Sequence, residues 1–438
     1  MAMRSDTGDP DLSGQRTTLA RAFPTRLDSS QLQRLALFAL FVVGMAELAQ
    51  TSATFFGRAQ LLWYHQDFPA FYTAAHFVAN GGGSLIYDTA AVAQGELALA
   101  GGPVGGTGVL AYFNPPFFAL LMAPLSGLSM DRAYQVWTLI NLALLGANAW
   151  MLWRISAPLA RSSRWLLLAA FLTLFPVSYG LHQGQFSLIL ASSWASAFLL
   201  LRSGRDRWAG VALAPLLIKP ELLLPVAAYL LWKRRWRVFS TLAPLAGAAV
   251  AVSLGVVGLA AAIDYPAYLL RSTTPAGVGG TSRLMFSWSG IVAMFWDHPG
   301  TLGATAAFAA LALATLGGAA HALRGAFAPR SERFALQWLL LTLATILVDP
   351  HLYLQDTILI ALPAAALLCM SPAGHRYRLG LAIAGGWGAL AFGTFPNEHL
   401  GVDLFGLYAV AAAGALLVMN SRYGKCAPCV KPWLVAAS

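Results

Sequence analysis

Long apolar segments recur along this chain, and short polar stretches separate them. A helix of about 20 apolar residues spans the roughly 30 Å hydrocarbon core of a bilayer, and it satisfies its own backbone hydrogen bonds there. The composition agrees, because 58% of the 438 residues are hydrophobic and only 11% are charged. We therefore predict an all-α polytopic membrane protein and exclude a water-soluble enzyme.

We expect about ten of these segments to cross the membrane. Their approximate bounds are 34–56, 132–153, 165–181, 185–201, 239–262, 301–323, 334–348, 356–371, 379–395 and 403–421. Two other apolar stretches differ, since 114–128 is short and rich in proline and 208–232 is interrupted by Lys219-Pro220-Glu221. We predict that neither crosses. The stretch 208–232 is interpreted as a re-entrant hairpin of two half-helices that turns near mid-membrane at Lys219-Pro220.

The distribution of the 28 Lys and Arg residues favours this arrangement, because basic residues concentrate in cytoplasmic loops. With ten crossings and the hairpin, Lys219 lies within the membrane and nearly all other basic residues are cytoplasmic. The four that face outward are Arg58, Arg132, Arg271 and Arg283. If 208–232 crossed as one helix, most basic residues after it would face outward instead. The net charge of +10 is thus attributed to topology rather than to a nucleic-acid partner.

The two ends of the chain are predicted to be cytoplasmic tails around one transmembrane domain. Residues 1–33 hold arginines among Ser, Thr, Asp and Pro, a composition typical of disorder. Residues 34–421 form the membrane domain, and 422–438 form the second tail. Cys426 and Cys429 have the spacing of a redox pair, but no βαβ pattern surrounds them.

Asp67 is the most informative polar residue of the predicted outer side. It precedes a short helix expected over 68–80, which three glycines end and whose aromatic residues suit the bilayer interface. As a helix cap, Asp67 would accept backbone N–H bonds, and Pro69 in the first turn is compatible with that role. As a general base, it would have a pKa raised by partial desolvation at the membrane edge. The spacing leaves both interpretations open.

Other polar residues gather on the same side. His182-Gln183-Gly184-Gln185 lies at the outer end of a helix pair, where amides and an imidazole suit sugar hydroxyls or a simple polar turn. Asp349-Pro350-His351 and Asp356 have the positions of helix caps. No spacing here selects a metal, and no nucleotide-binding motif is present in the sequence.

Several of these motifs, in this order, resemble glycosyltransferase family 87, a membrane family of the GT-C superfamily. The motifs are Asp67 to Tyr72, Ala74-Ala75, Gly83 to Asp88, Pro115-Pro116, Gly184-Gln185, Ile218-Lys219-Pro220 and 232–237. The best-known members of the family are polyprenol-phosphate-mannose-dependent mannosyltransferases. The resemblance extends from about residue 60 to 360 and implies a GT-C-type fold. It also implies that Asp67 is the catalytic base and that His351 engages the donor phosphate.

Three positions depart from the family pattern. Asn114 stands where an aromatic residue usually precedes the two prolines, and Ser187 replaces an asparagine. The segment 286–290 keeps a serine-glycine pattern without its usual asparagine. These changes point to a different sugar or acceptor and leave Asp67 and Lys219 untouched.

The resemblance implies inverting transfer of a hexose, with mannose the best-known case, from a polyprenyl-phosphate-sugar to a lipid or glycan acceptor at the extracytoplasmic face of the plasma membrane. No other cofactor and no metal are expected. Lys219 and Arg283 are further candidates for the donor phosphate, although Lys219 could instead pair with Glu221 or Glu47. The candidates for binding sugar or acceptor are Tyr72, His182, Gln183, Gln185 and Asp356.

A multi-pass transporter of a lipid or small solute is the alternative function, because a mid-membrane lysine hairpin would suit one. Transporters usually contain internal repeats and polar residues along a pathway. This sequence has no 200-residue repeat, and its polar groups gather at the outer rim.

Overall fold

The computed structural model of the chain describes residues 29–56, 67–102, 104, 109–272, 284–296, 301–392 and 402–423. All regular secondary structure in these ranges is helical, which confirms the all-α prediction. Most of the predicted tails, the phosphate candidate Arg283 and the Cys426/Cys429 pair lie outside the described residues.

The helices of the described residues are numbered here in chain order. They are α1 Ser29–Phe56, α2 Phe68–Ala79, α3 Thr89–Ala100, α4 Pro116–Met122, α5 Met130–Ile155, α6 Arg161–Leu172, α7 Phe175–Gln183, α8 Ser187–Arg202, α9 Asp206–Leu213, α10 Pro220–Trp232, α11 Trp236–Ser272, α12 Trp288–Ala293, α13 Leu302–Ala322, α14 Glu332–Val348, α15 Ala361–Met370, α16 Ala373–Phe392 and α17 Leu404–Tyr423. Four short 3-10 helices occur at Gly83–Leu85, Ala123–Gly127, Ala214–Ile218 and Leu354–Ile360.

Within the described residues, each segment predicted to cross the membrane lies largely in helix. Within the described ranges, five helices are long and apolar enough to span a bilayer. These are Met130–Ile155, Arg161–Gln183, Trp236–Leu269, Leu302–Ala322 and Leu404–Ser421. Shorter apolar helices supply further segments, so the count of ten crossings and their orientation stay predictions.

The interrupted stretch 208–232 folds back on itself. It consists of α9, the 3-10 helix Ala214–Ile218 and α10, with a break at Lys219, where φ is −133° and ψ is 78°. Arg235, just after α10, forms an ion pair with Asp206 at the start of α9. The beginning and end of the stretch therefore lie together, and Lys219 lies at the opposite end. This geometry agrees with a re-entrant hairpin, whose depth in a bilayer stays a prediction.

Helix α14 is the central helix of the molecule. Every residue from Phe334 to Leu347 is buried, and the aromatic rings of Trp194, Phe198, Phe334 and Trp338 stack around its first half. By contrast, α11 and α13 are largely exposed, as helices that face lipid would be. The helix α14 ends at Asp349, since the following Pro350 cannot continue it. Its end thus brings Asp349 and His351 to the middle of the helix assembly.

Two elements differ from the sequence prediction. The expected helix after Asp67 is present as α2, but its residues Phe68–Ala75 are all buried in protein. Its aromatic residues therefore pack mainly against protein rather than lipid. Helix α11 continues ten residues past the predicted end at 262, with a kink at Gly258, where φ is +80°. Glycine adopts this conformation without steric cost.

Candidate active site

Asp67 does not cap α2. Its backbone is helical, with φ −90° and ψ −16°, and its side chain makes no capping hydrogen bond. Instead, Gln185 Nε2 donates to Asp67 Oδ2 at 2.7 Å, and the Asp67 N–H donates to the Gln183 carbonyl at 3.1 Å. The capping interpretation is therefore wrong. The carboxylate is held against the turn between α7 and α8.

The environment of Asp67 suits a base. Removal of the carboxyl group from water raises its pKa above the usual value, and the negative charge of Asp356 acts in the same direction. The hydrogen bond from Gln185 lowers the pKa and so offsets part of this rise. A carboxylate with a raised pKa accepts a proton more readily than an ordinary aspartate.

The turn that carries Gln185 is fixed by close packing and by hydrogen bonds. Gly184 has φ +67°, and a Cβ there would lie 2.7 Å from the Cβ of Phe68, so only glycine fits. Trp137 Nε1 donates to the Gly184 carbonyl at 2.7 Å, and the Tyr134 hydroxyl donates to the Leu181 carbonyl at 3.0 Å. These bonds place Gln185 next to Asp67.

Lys219 is buried in a network that neutralises its charge. Its ammonium donates to Asp356 Oδ2 at 2.6 Å and to the His351 carbonyl at 3.0 Å, and it forms an ion pair with Asp349 Oδ2 at 3.3 Å. Glu221 and Glu47 were the alternatives to a phosphate as partners of Lys219, but its ion pairs are with Asp349 and Asp356. Glu221 lies close enough to interact electrostatically with Lys219. A phosphate would therefore have to replace one of the present partners of Lys219.

Asp356 joins this network to the Asp67 site. Ser187 Oγ donates to Asp356 Oδ1 at 2.9 Å, while Oδ2 binds Lys219. Ser187 follows Gln185 by two residues, so the start of α8 contacts both carboxylates. We refer to Lys219, Asp349, Asp356 and Ser187 as the Lys219 network.

His351 lies between the Lys219 network and a group of aromatic rings. Its imidazole stacks on Phe113, with ring centroids 6.5 Å apart, and its Nε2 is buried without a hydrogen-bond partner among the residues that the structure describes. Burial and the positive charge of Lys219 lower the pKa of His351 to about 4. The imidazole is therefore neutral at pH 7 and can offer a phosphate one N–H donor, but no positive charge.

Tyrosine hydroxyls fix the segment 112–115 beside this site. The Tyr265 hydroxyl donates to the Phe113 carbonyl at 2.7 Å, and the Tyr87 hydroxyl donates to the Asn114 carbonyl at 2.8 Å. Asn114 Nδ2 in turn donates to the Ile218 carbonyl at 3.2 Å, directly before Lys219. Asn114, one of the departures from the family pattern, thus contacts the hairpin turn.

Two sugar-binding candidates make other contacts. The Tyr72 hydroxyl donates to the Leu128 carbonyl at 2.5 Å, and its ring packs against Phe68 and His76. Among the described residues, no hydrogen bond or ring contact joins Tyr72 to Asp67 or to the Lys219 network. His182 is half-buried next to Gln183, and its carbonyl accepts a hydrogen bond from Tyr134 at 3.2 Å.

Asp349 and Ser187 are network residues that the sequence did not single out as site residues. In the sequence, Lys219 indicated that an anionic residue such as Asp349 had to lie nearby, since a buried ammonium requires an anionic partner. For Ser187, the signal was its place in the family pattern, where it stands instead of an asparagine two residues after Gln185. In the part of the chain described here, no three His, Cys, Asp or Glu residues form a group that could hold a metal.

The profile of glycosyltransferase family 87 matches residues 112–350 of this chain, which is more than half of it. The matched region contains Asn114, Gln185, Lys219 and Asp349; Asp67 precedes it, and His351 and Asp356 follow it. No curated protein and no solved structure shows a significant match.

Proposed function

The chain belongs to glycosyltransferase family 87, and from this premise we propose that it transfers a hexose from a polyprenyl-phosphate-sugar to a lipid or glycan acceptor, with Asp67 as general base. Mannose is the first sugar to test. The reaction would occur at the extracytoplasmic face of the plasma membrane, with both termini in the cytoplasm. The single observation that carries the proposal is the Asp67 carboxylate, which caps no helix and is held by Gln185 at 2.7 Å.

The proposed reaction is one displacement. The acceptor oxygen forms a bond to the anomeric carbon while the bond from that carbon to the donor phosphate breaks. The acceptor proton passes to Asp67, and the polyprenyl phosphate leaves with the bonding electron pair. One displacement inverts the anomeric configuration. The protein then has to align the two substrates, accept the proton and stabilise the leaving phosphate.

Two groups are candidates to bind the leaving phosphate. His351 presents the buried Nε2 that lacks a protein partner and can donate one hydrogen bond. Arg283 would supply a full positive charge. Lys219 contributes a fixed ammonium whose direct contacts are already made by Asp349 and Asp356. We therefore propose that Lys219 acts mainly by positioning His351 and Asp356.

The proposal is tested by transfer of radiolabelled mannose from synthetic polyprenyl-phosphate-mannose to lipids extracted from the source cells. Purified wild type is compared with Asp67→Asn. We expect the variant to lose about 10²–10⁴-fold in rate, the usual contribution of a general base. Asp88→Asn is the matched control, because Asp88 is a true helix cap that accepts hydrogen bonds from Ala90 and Ala91, and asparagine caps equally well. It should keep its activity.

Each outcome has a distinct meaning. Equal transfer by wild type and Asp67→Asn would contradict the role of Asp67. Failure of wild type with a panel of polyprenyl-phosphate sugars would contradict the proposed donor class and favour the transporter alternative. The melting temperature of Asp67→Asn provides the folding control. It should not fall, because the substitution removes a carboxylate whose charged form is disfavoured by desolvation.

A further inference from the structure

Two buried glutamines near the Asp67 site, Gln183 and Gln355, have side-chain oxygens that accept no hydrogen bond from the described residues. Gln183 is 8% exposed and Gln355 is 3% exposed. Buried amides in native proteins are almost always hydrogen-bonded, so two exceptions in one place indicate a missing ligand or water.

The two side chains face one interface from opposite sides. Helix α7 packs against the 3-10 helix Leu354–Ile360. Gly180 and Gln183 are three residues apart on α7 and so share a face. A Cβ at Gly180 would lie 3.5 Å from the Cβ of Gln355, which places Gln355 against that face.

This interface adjoins the reaction site at both ends. The Gln183 carbonyl accepts the Asp67 N–H at 3.1 Å, and the next residue after Gln355 is Asp356, which binds Lys219. A group bound between the glutamines would therefore lie beside the proposed general base.

The chemistry of the interface favours a neutral polyhydroxyl group. Each amide offers an acceptor oxygen and two N–H donors, which match the dual character of a hydroxyl group. Asp67, Asp349 and Asp356 outnumber the one lysine, so an anionic sugar would be repelled. An apolar ligand would leave both amides unsatisfied.

We propose that Gln183 and Gln355 bind hydroxyl groups of the transferred sugar and that Gln355 determines its specificity. This inference rests on the proposed function and deepens it, because it restricts the donor to a neutral sugar. A site that hydrogen-bonds a substrate hydroxyl rejects an analogue without that hydroxyl strongly, since buried polar groups are then left unpaired.

The test compares donors in which single hydroxyls of the sugar are replaced by hydrogen. Wild type should lose about 100-fold or more in kcat/KM with at least one of these donors. Gln355→Leu should lower kcat/KM for the complete sugar. It should also reduce the ratio of kcat/KM between the complete sugar and the donor that lacks the hydroxyl to below about 10-fold. Gln337→Leu is the matched control. Gln337 is equally buried, but its amide donates to the Ala322 carbonyl at 3.1 Å, so its loss should leave the preference intact.

A second measurement separates ligand binding from a structural role. Because the Gln355 side-chain oxygen has no hydrogen-bond partner among the described residues, Gln355→Leu should not lower the melting temperature of the ligand-free protein, whereas Gln337→Leu should. A lower melting temperature for Gln355→Leu than for wild type would overturn the inference. So would a loss of kcat/KM in Gln355→Leu that is equally large for the complete sugar and for every donor that lacks a hydroxyl.

The inference can also be tested if the proposed function fails. When wild type transfers no sugar from any donor, methyl mannoside and methyl glucoside serve as binding probes. A rise in the melting temperature of wild type with either probe, absent in Gln355→Leu, would support sugar binding without the proposed reaction. No rise with either probe in wild type, together with no transfer, would overturn both proposals.

Discussion

At the residue scale, one amide opposes the rise in the pKa of Asp67 that burial causes. Gln185 donates to the carboxylate at 2.7 Å and stabilises its charged form, so this bond lowers a pKa that desolvation raises. A general base works only when deprotonated. The acid limb of the pH–rate profile should therefore reflect the pKa of Asp67, and it should shift when Gln185 is replaced.

We predict that Gln185→Leu shifts this limb to higher pH. Loss of the hydrogen bond removes the contribution that lowers the pKa, so a higher pH is needed to deprotonate Asp67. The measurement is kcat/KM for sugar transfer against pH. Gln94→Leu, on an exposed position of α3, is the control and should leave the limb in place. A limb that stays or moves to lower pH would show that Gln185 does not stabilise the carboxylate.

Lys219 illustrates a second effect at this scale, which is the cost of an unpaired buried charge. We predict that Lys219→Met destabilises the protein by about 3–5 kcal/mol, because Asp349 and Asp356 are left buried without a counter-charge. The free energy of unfolding is measured by chemical denaturation in detergent micelles. Arg237→Met, at an exposed site on α11, should change it by no more than about 0.5 kcal/mol.

The double variant Lys219→Met/Asp356→Asn distinguishes this explanation from a simple loss of packing. Removing one carboxylate together with the lysine should recover part of the lost stability, since fewer charges remain unpaired. If the stability losses of Lys219→Met and Asp356→Asn simply added in the double variant, unpaired charges in the ion network could not be the cause of the Lys219→Met loss.

At the element scale, the hairpin turn is held by a neighbouring segment. Asn114 donates to the Ile218 carbonyl at 3.2 Å, and the segment around it is fixed by Tyr87 and Tyr265. Position 114 therefore affects how accurately Lys219 meets Asp356, although Asn114 lies outside the Lys219 network.

We predict that Asn114→Ala lowers kcat about 10–100-fold while it costs only about 1 kcal/mol of stability. The activity loss exceeds the stability loss because a small displacement of the turn disturbs the alignment of the site. Asn80→Ala is the control, since Asn80 makes the same kind of bond, to the His76 carbonyl at 2.8 Å, away from the hairpin. Equal effects of the two variants on kcat would contradict a positioning role for Asn114.

At the scale of the whole molecule, the hairpin determines on which side every later segment lies. Asp206 and Arg235 bring its two ends together, so the connections before and after it should face the same compartment. With the positive residues in the cytoplasm, the loop around Ser84 should face outward.

We predict that single cysteines at Ser203 and Arg237 react with an impermeant maleimide only after the cells are permeabilised, and that one at Ser84 reacts in intact cells. All three positions are exposed, and the variants are made in a background with the native cysteines replaced. Opposite accessibility of positions 203 and 237 would show that 208–232 crosses the membrane as one helix.

The helical class, the apolar helical segments and the interruption at Lys219 could be predicted from the sequence alone. Lipid permits little besides helices, and each helix is visible as a local run of apolar residues. The resemblance also singled out Asp67, whose role as general base stays a prediction. These features depend on residues that are close together in the chain.

The contacts of the site were decided by tertiary structure. Gln185 is 118 residues from Asp67, and Asp356 is 137 residues from Lys219. Helices that are apolar on all sides carry little pattern to show which faces pack together. The sequence therefore offered a donor phosphate, Glu221 or Glu47 as partners of Lys219 and did not indicate Asp356. Only the packing of α7, α8 and α10 around the end of α14 brings these residues together. The sequence by itself determined which segments are helical, and the three-dimensional packing decided which polar groups meet.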